Sequence, residues 1–231
     1  MHSKNVIVTG AASGIGATVC ETLIDAGHSI IGLDLNVVQE KSFTVLECDI
    51  TDRAAVSSAV EQAHHALGRI DGLVSCAGVI SMVHLDELTE EEYDRVISVN
   101  LSGTLNMCQA VYPIIRQSGG SVVLLASIAA RTGGVESGPA YAASKGGVVS
   151  FGKWLAQNGA EFGVRVNTVC PGPVETPMIA GQGYDTTGSG IPLGRLGRPS
   201  DISQTIEFLI SDKSSWMTGQ TIDVNGGLYS N

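Results

Sequence analysis

A chain of 231 residues, 43% hydrophobic and 16% charged, is long enough for one large domain and too apolar for wholesale disorder. Its net charge of −10 and pI near 4.8, with Lys and Arg nowhere clustered, argue against nucleic acid or an anionic membrane as a partner. No apolar run approaches the roughly 18 residues of a membrane span, and the first strand begins almost at once, at Val6, which leaves no room for a signal peptide. The expected location is the cytoplasm.

Strand and helix signals alternate along the chain. A short apolar strand at 6–9 runs into the glycine-rich stretch from Gly10 to Gly16, and an amphipathic helix follows through Ala26, stopped by Gly27. Strands are expected at 29–34 and 43–48. Thr51 and Asp52 look like the cap of a helix over 53–67, followed by a strand at 72–75. Helical periodicity covers 90–117, with Pro113 inside, which should kink the helix or end its regular part. A strand at 121–126, a long helix at 140–160, a strand at 164–169, a helix at 201–210 and a last strand at 221–224 complete the series.

Strands spaced by helices of this length imply right-handed crossovers, hence a mostly parallel sheet covered on both faces. No Pro- or Ser-rich linker or internal repeat interrupts this single α/β domain over 1–231. The loop at 174–190, with Gly181, Gly183, Gly188 and Gly190, is the best candidate for a mobile lid. The connection from Leu35 to Ser42 is too short for a full crossover helix.

The five cysteines, Cys20, Cys48, Cys76, Cys108 and Cys170, are scattered without a C-x-x-C pair, as expected of reduced, buried thiols. The five histidines show no metal-ligand spacing either, so no metal is expected. Asn100-Leu101-Ser102 matches a glycosylation sequon; without a secretory signal it reads as coincidence.

The first strand-to-helix turn reads Thr9-Gly10-Ala11-Ala12-Ser13-Gly14-Ile15-Gly16. Glycines there let the chain turn tightly and let backbone N–H groups approach a pyrophosphate, to which the helix offers its positive end. A glycine trio alone also fits an ordinary turn, but its place after the first strand is the one that the mechanism demands. Asp34 ends the second strand, 18 residues after Gly16. Its carboxylate can accept hydrogen bonds from the adenosine ribose and would repel a 2′-phosphate, and no Lys or Arg lies within the turn or directly after Asp34. NAD is therefore expected rather than NADP; the lesser alternative is that Asp34 is a solvated turn residue. Asp49 and Ile50 after the third strand are placed to reach the adenine amino group. Ala77 and Gly78 put small residues where a cofactor would lie against the backbone.

Tyr141 and Lys145 stand four apart at the start of a helix, on one face. A phenol has a reference pKa near 10, and a neighbouring ammonium favours the phenolate, bringing it into range as a base. Alone, Tyr-x-x-x-Lys also describes many plain surface pairs. Ser127 ends the fifth strand, where doubly wound folds place ligands, and its hydroxyl can bond a substrate oxygen while Tyr141 gives or takes the proton. Asn100 sits mid-helix, where Asn is mildly unfavourable; it can hold a helix kink or an ordered water linking Lys145 to solvent.

The glycine pattern, Asp34, Ala77-Gly78, Asn100, Ser127, Tyr141-x-x-x-Lys145 and Pro171-Gly172 come in the order and spacing of the short-chain dehydrogenase/reductase family. Asn167, the stretch Ile191-Pro192-Leu193-Gly194-Arg195 and the tail Asp223-Val224-Asn225-Gly226-Gly227 resemble it as well, so the likeness spans essentially the whole chain. The resemblance implies a Rossmann-type sheet of seven strands and a tetrad of Asn100, Ser127, Tyr141 and Lys145. In that tetrad Tyr141 is the acid/base, Lys145 tunes it and binds ribose, Ser127 polarises the substrate oxygen and Asn100 supports a proton relay. It also implies that Pro171, Gly172 and the backbone from Val174 to Thr176 meet the nicotinamide carboxamide, and that the chain forms a homotetramer, or a dimer, on its long helices. Two departures stand out. Ser75-Cys76 replaces the family's usual Asn-Asn or Asn-Ala, and Ser127 and Tyr141 are 14 apart, one more than is common.

The expected activity is hydride exchange between NAD(H) and a small-molecule secondary alcohol or ketone. The substrate pocket is expected to be lined by Val79, Ser81, Met82, Ala129, Ala130, Val135, Glu136 and Met178, a mostly apolar set that best suits a secondary alcohol or ketone of modest polarity. Arg131 and Glu136 would select a charged or polyhydroxylated substrate if they faced it, but surface positions are expected for both. The rival from another class is a catalytically idle NAD-binding regulator on the same fold. A sugar-nucleotide enzyme would need a larger C-terminal region than the about 60 residues after Gly172. A serine hydrolase would need a G-x-S-x-G elbow that the chain lacks.

Overall fold

The computed structural model describes residues 3–37, 42–134, 136–180 and 187–230. Seven parallel strands pair in the order β3-β2-β1-β4-β5-β6-β7: β1 (Asn5–Thr9), β2 (Ser29–Asp34), β3 (Thr44–Glu47), β4 (Gly72–Ser75), β5 (Gly120–Leu125), β6 (Val164–Pro171) and β7 (Thr221–Val224). The order reverses between β1 and β4, and a ligand crevice opens at that switch, at the carboxyl ends of the strands.

The strands read as continuous apolar runs because both faces are covered. In β1, Val6 and Val8 pack to one side with Val19 and Leu23 of α1 (Gly14–Asp25) and Ile202, Ile206 and Leu209 of α7 (Pro199–Ile210). Ile7 points the other way, into a core with Val56 and Val60 of α2 (Arg53–Leu67), Met107, Val111 and Ile115 of α4 (Thr104–Ile115), and Val148 and Leu155 of α6 (Pro139–Gly159). The alternation is the two-residue repeat of a strand. Among the described residues, no helix is long and apolar enough to cross a membrane.

Helix ends follow local chemistry. Asp52 caps α2 by accepting from the N–H groups of Ala54 (2.7 Å) and Ala55 (3.3 Å), and Gly68 closes it in the left-handed conformation at φ 73°. Pro139 and Pro199 start α6 and α7, where a missing N–H costs nothing.

The expected helix over 90–117 differs. It divides into α3 (Glu90–Ile97), a π-helical segment (Ser98–Gly103) and α4, while Pro113 is accommodated within two residues of the end of α4. The irregularity sits at Asn100, not at Pro113. In the last turn a proline forfeits a single backbone bond, whereas the widened turn serves the buried Asn100 side chain. A one-turn helix α5 (Ala129–Thr132) was too short to show periodicity in the sequence. In the expected lid, residues 181–186 lie outside the described residues, as do 38–41 of the second-to-third strand connection.

Candidate active site

One cavity of about 610 Å³ opens at the carboxyl ends of the strands. Its walls include Gly10, Ser13, Gly14, Ile15, Gly16, Asp34, Asp49, Ile50, Ala77, Gly78, Ser127, Tyr141, Lys145, Pro171, Gly172, Val174 and Thr176. Of the expected catalytic and cofactor-binding residues only Asn100 is missing from the wall; it is fully buried directly behind Gly78.

Two of the three glycines of the turn have no room for a side chain. A Cβ on Gly16 would lie 2.1 Å from the Gly10 carbonyl oxygen, and one on Gly10, at φ 68°, would lie 2.9 Å from the Ala77 nitrogen. Gly16 therefore lets α1 pack on β1, and Gly10 lets the turn pass beneath β4. Thr9 locks that crossing: its hydroxyl accepts from the N–H groups of Cys76 (3.1 Å) and Ala77 (3.0 Å). Ser13 precedes α1 without capping it by its side chain, and the first turn holds no acidic residue, so the helix N–H groups remain available to an anion at the cavity wall.

Asp34 is oriented by two backbone donors, Ala12 N–H at 3.0 Å and Asn36 N–H at 2.9 Å. These fix the carboxylate at the cavity edge and leave its remaining lone pairs for hydroxyl donors. Asp49 turns one oxygen inward, accepting from the N–H (2.8 Å) and hydroxyl (2.7 Å) of Thr51 at the entry to α2. Ile50 packs against Gly103, where a Cβ would come within 2.6 Å of it.

At the opposite end, Lys145 lies buried 5.9 Å from the centre of the Tyr141 ring and donates to the Leu125 carbonyl at 3.0 Å. Burial pulls its ammonium down to about 8, with Cys76 and Cys170 opposing weakly. Burial pushes the Cys76 thiol up to about 12, which leaves it protonated and unreactive despite its place in the wall. Ser127 accepts the Ala129 N–H at 3.1 Å, which aims its hydroxyl group at the start of α5.

Asn100 ties the two sides together. Its amide oxygen accepts the Val79 N–H at 2.8 Å, and its amide nitrogen donates to the Val79 carbonyl (2.9 Å) and the Ser144 hydroxyl (3.0 Å). Ser144 in turn donates to the Tyr141 carbonyl at 2.8 Å. The expectation that Asn100 occupies a helix irregularity holds, and the widened turn is what brings its side chain to Val79. Sequence reasoning passed over Thr9 and Ser144. A hydroxyl at a strand end and one inside Tyr-x-x-Ser-Lys were visible, but without the fold they had no partners to point to.

The substrate end is formed by Val79, Ile80, Ile128, Ala129, Thr132, Glu136, Pro177, Met178, Ile179 and Leu228. Several expectations need correction there. Ser81 is buried against α3, and its hydroxyl group lies 3.4 Å from the Val83 N–H; Met82 and Ala130 do not line the cavity. In a one-turn helix Ala129 and Thr132 share a face, so Ala130 and Arg131 turn away. Arg131 is not a surface residue: it pairs with Asp223 of β7 at 3.1 Å, both side chains only 17% exposed. Glu136 is exposed as expected, but at the rim of the cavity. Val135 lies outside the described residues.

A seven-stranded parallel sheet with a glycine turn, a carboxylate after β2 and a buried Tyr–Lys pair defines an oxidoreductase of the nicotinamide-dependent Rossmann class. The chain belongs to the short-chain dehydrogenase/reductase family: residues 10–229 match the family profile adh_short_C2, described as enoyl-(acyl carrier protein) reductase. The 3-oxoacyl-(acyl-carrier-protein) reductase FabG of Thermotoga maritima is 38% identical over 99% of this chain and 98% of its own. D-threitol dehydrogenase of Mycolicibacterium smegmatis is 34% identical over 98% of this chain and 93% of its own. Among solved structures, the ligand-free aldohexose dehydrogenase of Thermoplasma acidophilum superposes with a TM-score of 0.92 at 30% identity, covering 98% of this chain and 94% of that one.

Proposed function

We propose that this protein exchanges a hydride between NAD(H) and a secondary alcohol or ketone, with Tyr141 as the general acid/base. The observation that carries the reading is that Ser127, Tyr141 and Lys145 open onto the same cavity as the glycine turn and Asp34. That cavity lies within the usual range of small-molecule sites, and its glycine floor leaves the backbone bare where a pyrophosphate would lie. Bound there, the dinucleotide supplies or accepts the hydride.

The chain's own side chains handle the proton. In reduction the Tyr141 phenol gives its proton to the carbonyl oxygen while the Ser127 hydroxyl donates a hydrogen bond to the same atom; in oxidation the Tyr141 phenolate takes the proton from the alcohol, and Ser127 keeps its hydrogen bond to that oxygen. The Lys145 charge beside the ring favours the phenolate, and its side chain is placed to hold the nicotinamide ribose. Asn100 acts as a positioning residue: it holds the Val79 backbone against the cavity and, through Ser144, the first turn of α6. Pro171, Gly172, Val174 and Thr176 form the wall beside the nicotinamide.

Asp34 supports NAD over NADP, because a 2′-phosphate would meet a carboxylate already held by two backbone donors. The names of the relatives span acyl reductases and polyol or sugar dehydrogenases, and both are carbonyl–alcohol interconversions. A homo-oligomer built on α4 and α6 is supported by large apolar side chains that both helices expose, Trp154 of α6, 61% exposed and stacked on Phe151, and Leu105 of α4. Five buried free thiols fit a reducing cytoplasm.

The test is absorbance of the reduced nicotinamide with a panel of alcohols and carbonyls. The reading expects turnover with NAD(H). Tight NADH binding with no turnover on any secondary alcohol or ketone would contradict the assigned chemistry.

A further inference from the structure

The substrate end of the cavity has a definite electrostatic sign. Among the described residues that line it, Glu136 is the one charged side chain besides Lys145. Lys145 is buried on the floor, and its ammonium is already bonded to the Leu125 carbonyl.

The described stretches bordering this end, residues 78–89, 127–134, 136–141 and 174–180, contain a single Lys or Arg, Arg131. Its guanidinium is committed to the two carboxylate oxygens of Asp223, at 3.1 and 3.3 Å, and to the Thr221 carbonyl at 3.2 Å. Arg95, whose side chain reaches the Ile80 carbonyl behind the wall, is clamped by both oxygens of Glu92 at 2.7 and 2.8 Å. Among the described residues, no Lys or Arg at the rim of this end is free to receive a substrate carboxylate or phosphate, Lys145 lying on the floor beside Tyr141, and the net charge of −10 adds a general repulsion of anions.

The backbone on either side of Glu136 is constrained at the rim. Ser137 N–H donates to the Gly134 carbonyl at 2.9 Å, closing the turn that carries it. Gly134 and Gly138, at φ 64° and 72°, flank that turn. A Cβ on Gly138 would lie 2.4 Å from the Val83 carbonyl oxygen, and one on Gly134 would lie 2.8 Å from the Ser137 hydroxyl oxygen. The turn thus sets the point at the rim from which the Glu136 side chain projects, while its carboxylate stays exposed at the cavity mouth.

We propose that Glu136 makes this site selective for an uncharged, hydroxyl-bearing substrate: a second hydroxyl of the reacting alcohol donates to its carboxylate, and carboxylated or phosphorylated analogues are rejected. This rests on the hydride-transfer reading of the same cavity and adds the substrate class to it. The apolar wall of Val79, Ile80, Ala129 and Met178 takes the carbon chain between the reacting oxygen and that second hydroxyl.

The experiment compares matched pairs that differ only in a terminal CH₂OH or carboxylate, tetritols and hexitols against their aldonic acids, in the wild type and in Glu136→Gln. The wild type is expected to favour the neutral member by about 100-fold in kcat/KM. Glu136→Gln replaces a charged acceptor by a neutral one, so neutral substrates should lose up to about tenfold in kcat/KM while the acids gain about tenfold, and the preference collapses. Acids that match the polyols in the wild type, or a ratio unchanged in Glu136→Gln, would overturn the proposal. Calorimetric binding of the same pairs to the Tyr141→Phe protein with NADH ranks them without turnover. A failure of the hydride-transfer reading therefore appears as absent chemistry, while a failure of the charge proposal appears as the wrong ranking.

Discussion

The two ends of the cavity are built by different means. The cofactor end consists of strand termini and a turn crowded at two glycines: Gly10 beneath Ala77 and Gly16 against the Gly10 carbonyl, with Asp34 held by Ala12 and Asn36. The substrate end consists of loops: the residues after β4, the one-turn α5 with the Glu136 turn, and the segment after β6. Backbone geometry dictates residue type at the first, and side-chain choice decides function at the second. A fold can therefore keep one end constant while relatives act on acyl carriers, threitol or aldohexoses, as their names record.

Substitutions that separate the two ends should differ in kind. The largest effect is expected at the floor they share. Lys145→Met should lower kcat/KM by about 10²- to 10³-fold. It should also stabilise the fold in the absence of cofactor, by on the order of 1 kcal/mol or about 2–4 °C in Tm at pH 7. The sign follows from burial. The folded-state value of about 8 lies below the ordinary 10.5, so the unfolded chain binds this proton more tightly. The buried charge thus costs stability fully below pH 8, and the cost fades as pH rises from 8 through 10.5. The gain in Lys145→Met should shrink over that window in thermal melts; a gain constant with pH would mean that the buried ammonium is not its cause.

At the cofactor end, Asp34→Ser should weaken NADH binding by about tenfold and improve NADPH relative to NADH by more than that, read by fluorescence titration. Relative activity across the polyol and acid pairs should stay the same, because Asp34 and Glu136 occupy opposite ends. A substrate ranking that moved with Asp34 would show that the ends are coupled.

The same contrast explains what the sequence made legible. The strands and the cofactor end follow from short-range rules: apolar runs between turns, glycines at the first crossover, an acid at the end of β2. Asn100 stood out because an Asn in mid-helix requires a reason, and the widened turn is that reason. The helix break was misplaced to Pro113 because a proline is visible in one dimension, whereas an extra residue in a turn is not. Ser81, Met82, Ala130 and Arg131 were misassigned because the chain reverses within two or three residues there, and direction in such loops is set by distant partners. Asp223, 92 residues away, claims Arg131. Ser144 and Thr9 needed the packed sheet before their hydroxyls had anything to hold.

The most direct test of the account is a paired measurement on Tyr141→Phe, in which hydride transfer and NADH affinity are determined on the same preparation. The account expects kcat/KM to fall by about 10³-fold while NADH affinity stays within about threefold of the wild type. Retained turnover would place the acid/base elsewhere, and a parallel loss of NADH affinity would contradict the division of the cavity into a cofactor end and a chemical end.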